Sequence, residues 1–452
     1  MSIRTLISLC SSALLLAGCM TIDPAAERAA IEDQAAALSI PVSSPGNIEG
    51  EITEDQAVAL GMSQNPRLAA DLADAGLARA AWAQAVLPPN LIAELTYFNP
   101  EGRGGILDAD IRAPIAAILG WPQRKAAARA NYDAAQARAL LRLIDFSAET
   151  RLAWVEAVAA RERANMYARI LQSAEAALLV AEEIDDQGNA PPLDLTRQRV
   201  NALSAQAAAQ DAEQEALSAH IRLEALVLSG GSVFATIEIP DRLPTNMFEW
   251  PDAQTLLTAM DENNLPLAAA RADVEAAAQA AGYTDIESLL HGELGIALDI
   301  EDGETERGVS AHFDIPTSGF GHPQRAAARI RAQQAADRYM ALEWEVAAET
   351  DLHFLEMDRA SARLDMIRDE WLPASTLALE QTMQQYNGMQ ISVYALLDAF
   401  NLQVEAGRAY VDTLERYHRA RIALTALMQG GSPMGMGGSS GLSTDNAGGE
   451  GH

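Results

Sequence analysis

Two periodicities alternate along the chain, and the pair of them occurs twice. Leu107, Ala109, Ile111 and Ala113 interleave with Asp108, Asp110 and Arg112. Leu294, Ile296, Leu298 and Ile300 interleave with Glu293, Gly295, Ala297 and Asp299, and Val309, Ala311, Phe313 and Ile315 with Ser310, His312 and Asp314. A period of two gives a strand one apolar and one polar face. Leu91 to Phe98 is a weaker member of the set. These runs predict strands near 91–99, 105–116, 292–301 and 307–316, with polar turns over Asn99–Gly104 and Asp302–Arg307.

The other pattern is helical. Between Pro122 and Gly188 lie 65 residues with neither Gly nor Pro. As one helix they span about 98 Å, too long to bury an apolar stripe inside one compact monomer, so partner helices are required. A second such run, Gln324 to Asn387, is interrupted only by Pro373, where a kink is expected. Shorter Ala-rich helices are predicted over roughly 55–85 and 252–281.

The recurrence is a duplication. Trp121-Pro122-Gln123-Arg124-Lys125-Ala126-Ala127-Ala128-Arg129 returns as His322-Pro323-Gln324-Arg325-Ala326-Ala327-Ala328-Arg329, at an offset of 201 residues. Gly188 and Gly388 keep nearly the same spacing, as do Leu226 and Leu427. A unit of this length exceeds any solenoid repeat and indicates a twofold internal duplication. Residues 55–230 form the first copy, with a helical hairpin over 123–229; residues 252–430 form the second, with a hairpin over 323–429. A linker, 231–251, joins them, and a Gly/Ser/Met tail, 431–452, reads as disordered.

The N-terminus sets the compartment. Arg4 precedes an apolar stretch, Leu6 to Leu16, too short to cross a bilayer as a helix. It ends in Leu16-Ala17-Gly18-Cys19, which reads as a bacterial lipoprotein signal over 1–18 with Cys19 lipidated; an ordinary secretory signal that contains a cysteine is the alternative. Residues 19–54 are then a lipid-anchored segment. Cys10 leaves with the signal, so the mature chain has no free thiol and no disulfide. No other stretch reaches eighteen apolar residues, so any membrane crossing must be a closed β-barrel. The strand runs suit such a barrel with a wet lumen, or equally two half-buried hairpins of a soluble domain. Four strands cannot close a barrel, so several chains would have to contribute.

Charge and chemistry narrow the classes. With 32 basic and 63 acidic residues, net charge −31, the chain disfavours nucleic acid and anionic membrane surfaces as partners. Lys125 is the only lysine and no Gly-Lys pair exists, so a P-loop of the usual form is absent. The seven histidines show no pair at three- or four-residue spacing, so no local motif assembles a metal site, and no nucleophile turn stands out. No cofactor and no catalysis are expected. Met434 and Met436 in the tail offer soft Cu(I) ligands, or are simply part of a flexible tail.

Leu372-Pro373-Ala374, Tyr386-Asn387-Gly388-Met389-Gln390-Ile391-Ser392-Val393 and Leu396-Leu397-Asp398-Ala399, followed by Tyr410, Leu414, Tyr417, Ala420 and Leu427, resemble the second periplasmic hairpin of the TolC-type outer-membrane efflux factors. Gly188-Asn189-Ala190-Pro191-Pro192-Leu193-Asp194-Leu195 is the first-copy equivalent. The resemblance covers roughly 55–430; scarce strand aromatics depart from it.

The resemblance implies a mainly α fold with a small β part. Duplicated hairpins would form a trimeric α-helical barrel, and four strands per chain a twelve-stranded outer-membrane barrel. It implies a homotrimer, lipid-anchored in the outer membrane and reaching into the periplasm, where it meets an adaptor and an inner-membrane pump of the resistance-nodulation-division type. Small toxic compounds or metal ions would pass through it passively. The hairpin ends near Gly188, Gly388 and Ser392 would dock the adaptor, while Asp185 and Asp186 would form carboxylate rings at a periplasmic gate or else a solvated helix end. A type I protein secretion duct has the same architecture. A periplasmic coiled-coil adaptor without a pore is the competing class.

Overall fold

The computed structural model describes residues 24–42, 50–98, 106–187, 192–228, 237–246, 264–289, 292–301, 304–313 and 321–431. It is mainly helical, with one small antiparallel sheet. Cys19, Gly188 and the tail lie outside the described residues.

The elements in order are α1 (Pro24–Ala37), α2 (Glu54–Gln64), α3 (Pro66–Val86), β1 (Ile92–Phe98), β2 (Ile106–Pro114), α4 (Ile115–Leu119), α5 (Trp121–Asp186) and α6 (Pro192–Val227). Then come α7 (Leu265–Leu289), β3 (Gly292–Glu301), β4 (Glu304–Phe313), α8 (His322–Met366), a π-helical turn (Ile367–Trp371), α9 (Leu372–Asn387) and α10 (Val393–Met428). The 66 residues of α5 make about 99 Å of unbroken helix. From His322 to Asn387 the second copy runs through α8, the π turn and α9, and both ends sit 201 residues beyond the ends of α5. The ends of α6 and α10 keep the same offset.

Four local outcomes differ from the sequence pattern. The helix expected over 252–281 continues to Leu289, and residues 252–263 lie outside the described residues. The helix expected over 55–85 is two helices, because the Asn65 side-chain oxygen accepts from the Arg67 and Leu68 amides and Pro66 opens α3. The interruption expected at Pro373 lies just before it: the Leu372 N–H reaches back to the Ile367 carbonyl. That wider turn precedes a proline ring that would otherwise crowd the preceding turn. The turn expected over Asp302–Arg307 is shorter, since Glu301 pairs with Glu304 and β4 already includes Arg307.

The chain forms two compact units, each drawing segments from both copies. One unit, 1–33, 70–140 and 266–342, holds the sheet. The other, 34–69, 141–265 and 343–452, is helical. In the helical unit Met357, Ala360, Tyr417, Ala420, Leu424 and Leu427 form an apolar cluster between α8 and α10, with Phe354 and Met428 packed on it. The described part of the linker is docked there: Ile239 and Leu243 are buried, and Glu238 accepts the Ile52 amide at 2.8 Å.

Polar hubs hold the same unit. Glu54, at the start of α2 beyond the Thr53–Gln56 capping box, accepts from Arg151 at 2.8 Å and Arg421 at 2.6 Å. The Arg421 Nε donates on to His418 Nδ1, and His418 Nε2 donates to the Pro244 carbonyl at 2.8 Å. That arrangement fixes the neutral tautomer, and burial holds the His418 pKa below its ordinary value. Arg163 of α5 pairs with Glu215 of α6 and with Glu415 of α10, so one guanidinium joins three helices.

Candidate functional site

The sheet has two chemically distinct faces. Its order is β1-β2-β3-β4, all antiparallel, with β1 and β4 at the edges. Register places Ala93, Ile111, Ile296 and Val309 abreast on one face. Toward the 302–303 connection, Tyr97, Leu107, Ile300 and Thr305 share another row of that face. At the opposite end Phe313 pairs with Gly292. From Gly292 to Ile300 this face runs about 27 Å. It is open: Leu95, Ile296 and Val309 are 71%, 69% and 85% exposed. Tyr97 and Phe313, both exposed, stand near its two ends.

The other face is polar. Thr96, Asp108, Asp299 and Glu306 lie abreast, which puts three carboxylates on adjacent strands. Like charges opposite one another cost stability, a cost that water around them reduces. Two rows away, Arg112 ties the strands together. It pairs with Glu94 of β1, with Asp110 at 3.2 Å and with Glu293 of β3 at 3.5 Å. Ser310 of β4 donates to Asp110 at 2.9 Å. Gly295 lies under this network: a Cβ there would stand 2.5 Å from Arg112 Cγ and 2.6 Å from Ser310 Oγ. Sequence alone assigns no site role to Arg112 or Gly295; the signal it does carry is a lone arginine in the otherwise acidic polar face of β2.

The hairpin ends are the second candidate region. Asp185 and Asp186 close α5, with Asp185 half-buried and Asp186 exposed. Gly388 caps α9 at φ −78°, so it does not supply a left-handed turn. That conformation belongs to Met389, at φ 56° and 95% exposed. The Met389 N–H reaches the Tyr386 carbonyl and the Gln390 N–H the Gln385 carbonyl, a Schellman closure. Ser392 is the N-cap of α10, its hydroxyl accepting from the Ala395 amide at 3.4 Å. The sheet residues and the hairpin ends are thus separate candidate regions.

Among the described residues no group of three or more His, Cys, Asp or Glu side chains is placed to hold a metal ion. No described helix is long and apolar enough to cross a membrane. No family model matches the chain, and no curated protein matches it by sequence. Solved structures do match. The CmeC outer-membrane channel of Campylobacter jejuni is 14% identical at a TM-score of 0.71, over 86% of this chain and 90% of that one. The outer-membrane protein VceC of Vibrio cholerae is 18% identical at 0.67, over 84% and 96%. The open MtrE channel of Neisseria gonorrhoeae is 16% identical at 0.61, over 87% and 93%.

The fold is that of these outer-membrane channels. Of these neighbours, CmeC and MtrE are described as outer-membrane channels and VceC as an outer-membrane protein. Within the channel fold, the four strands with one open apolar face and the two long helical hairpins are the parts to which a function must be assigned.

Proposed function

We propose that this chain is the outer-membrane exit duct of a tripartite exporter. Three copies each contribute four strands to a twelve-stranded barrel, and their long helices line a periplasmic tunnel. The observation that carries this reading is the open, largely apolar face, about 27 Å tall and bounded by Tyr97 and Phe313, with Arg307 and Thr305 toward its Tyr97 end. A lipid-facing band of about 25 Å with interfacial aromatics is what a membrane barrel needs. The open edges β1 and β4 pair between copies, which removes the unpaired backbone that lipid does not tolerate. The acidic face then lines a wet lumen and favours cations over anions.

Exposed apolar residues on α6 support the same assembly. Leu193, Val200, Leu203, Leu217 and Ile221 are each more than half exposed, at spacings of three, four and multiples of seven. Such a stripe fits neighbouring helices of other copies. Cys19 carries lipid that holds the protein at the outer membrane. Asp185 and Asp186 form the carboxylate rings of a periplasmic gate, and Gly188, Gly388 and Ser392 belong to the hairpin ends that dock the adaptor, itself coupled to a pump of the resistance-nodulation-division type. The cargo is small toxic compounds or metal ions, moved with no energy input from this chain.

The mature protein, purified in mild detergent, tests the reading by light scattering and negative-stain imaging. A trimer with a tube well beyond about 100 Å is expected. A monomer or dimer whose state does not depend on detergent overturns the barrel and favours a pore-free adaptor. In planar bilayers, replacing Asp185 and Asp186 together by Ala should raise conductance or lower cation preference; unchanged current and selectivity remove them from the gate.

A further inference from the structure

The duplicated Pro-Gln-Arg segments carry a feature the duct reading leaves unused. Residues 121–132 contain Arg124, Lys125 and Arg129, and residues 322–336 contain Arg325, Arg329 and Arg331. Neither stretch has an acidic residue, in a chain whose acidic residues outnumber its basic ones 63 to 32. The only lysine is among the six. The charge balance of the whole chain argues against anionic partners, but it does not apply locally here.

Folding gathers both segments beside the base of the sheet. Trp121 donates to the Ala85 carbonyl at 3.0 Å and Arg124 to the Leu87 carbonyl at 3.3 Å, just before β1 begins at Ile92. The end of α7, just before β3 begins at Gly292, meets both segments. Its Tyr283 ring lies over Gly120, its Ser288 lies against Gly321, and its Asp285 pairs with Arg329 at 3.4 Å. The two copies, 201 residues apart in sequence, therefore share one level beside the strand ends.

Internal contacts account for only part of these charges: Arg329 is paired with Asp285, and Arg325 lies 3.0 Å from His322 Nδ1. Arg124 ends the first turn of α5 and Arg325 that of α8, where the helix dipole disfavours a cation, and Lys125 follows directly on Arg124. Lys125 and Arg331 are exposed and have no ion-pair partner among the described residues. Arg129 leans over the Trp82 ring at 4.7 Å and pairs with the exposed Asp133. Cations beside tryptophan at a strand base suit a membrane–water interface, where indole sits among headgroups and cations meet phosphate.

We propose that these two segments form a basic collar that binds the phosphate groups of anionic phospholipid in the periplasmic leaflet of the outer membrane. The proposal rests on the barrel reading, which sets this end of the sheet at that leaflet. Phospholipid rather than free phosphate is the ligand, because the collar adjoins the end of the open apolar face and takes headgroup and acyl chain together.

The test reconstitutes the full-length lipidated protein in bilayer nanodiscs of mixed phosphatidylethanolamine and phosphatidylglycerol. Native mass spectrometry then counts the lipids retained on release. Preferential retention of phosphatidylglycerol is expected. Lys125→Gln, Arg325→Gln and Arg331→Gln together should bring it to parity with phosphatidylethanolamine, each charge accounting for about fivefold. Lys125→Arg should retain it. Should the triple variant fail to fold, Lys125→Gln and Arg331→Gln are read singly at about fivefold each. Equal phosphatidylglycerol retention by wild type and the folded variants overturns the collar. Loss of the bound lipid to millimolar inorganic phosphate assigns a free-anion site and overturns the lipid assignment. A wild type that inserts into no bilayer overturns the barrel itself, a result separable from the other two.

Discussion

The sheet and the helical unit solve opposite problems. In the helical unit charged groups are turned inward and paired: the Glu54 and Arg163 side chains are 16% and 15% exposed, and each contacts at least two partners. In the sheet the apolar side chains are turned outward, with Val309 85% exposed. The helical unit pairs these inward charges within the chain but leaves a stripe of α6 exposed, while the sheet leaves its apolar face and the outer edges of β1 and β4 open. The contrast separates what a single copy stabilises by itself from what, under the exit-duct proposal, it would present to a second copy and to lipid.

The largest expected effect is on the sheet. Gly295→Val places a Cβ 2.5 Å from Arg112 Cγ and 2.7 Å from the Ile111 carbonyl oxygen, which is backbone and cannot swing away. A cost upward of about 3 kcal/mol is expected, read as loss of the assembled, detergent-resistant oligomer. Gly308→Val is the control, since a Cβ there would have nothing within 4 Å and valine suits a strand. It should assemble within about 0.5 kcal/mol of wild type. If both variants assemble equally, the Arg112 network does not set the strand spacing.

Next comes the helical unit. Glu54→Ala leaves Arg421 without its carboxylate and Arg151 with Asp55 alone. About 3 kcal/mol is expected, measured as a fall in the melting transition of the helical signal. Assembly of the sheet should be affected less than by Gly295→Val. The reverse order would mean that the two regions are not stabilised separately.

How far all this is legible in sequence follows from the range of the interactions. The alternation at Leu107–Ala113 and Leu294–Ile300 lies within β2 and β3, because a period of two is carried by neighbouring residues. The long helices are legible for the same reason, from an absence of Gly and Pro. The start of β4 at Glu304 is hidden by the polar run that continues to Arg307. The break at Asn65 needs capping geometry rather than periodicity. Arg112–Glu293 and Glu54–Arg421 span 181 and 367 residues, and no local pattern announces such pairs. Nor does the sequence show that the compact units cut across the duplication.

Acid sharpens the comparison with a smaller effect. His418 is held neutral between Arg421 and the Pro244 carbonyl, with Glu54 nearby and burial lowering its pKa. A lowered pKa means the unfolded chain binds the proton more readily than the folded one. The contribution is therefore present above the ordinary histidine value near 6.5 and lost as pH falls below it. One proton bounds the slope at about 1.4 kcal/mol per pH unit. His418→Gln keeps one donor and one acceptor without titrating and should flatten the stability profile of the helical unit between pH 7 and 5. An unchanged profile would place the acid sensitivity elsewhere.

The smallest effect is at the end of the second hairpin, where the glycine is not where the strain is. Gly388 sits at φ −78°, and a Cβ there would lie 3.4 Å from the Gln385 carbonyl, so Gly388→Ala should stay within about 0.5 kcal/mol of wild type. Met389 holds the left-handed conformation that glycine adopts without penalty, and its side chain is 95% exposed. Met389→Gly should therefore raise stability by about 1 kcal/mol, seen as a higher melting temperature. Among the described residues nothing repays that strain, because the thioether is in solvent. If the tip docks an adaptor, Met389→Gly gains stability and loses affinity for it, an apolar contact exchanged for a relaxed turn. A variant that gains stability and binds as before would remove Met389 from the docking surface and leave the strain without a use.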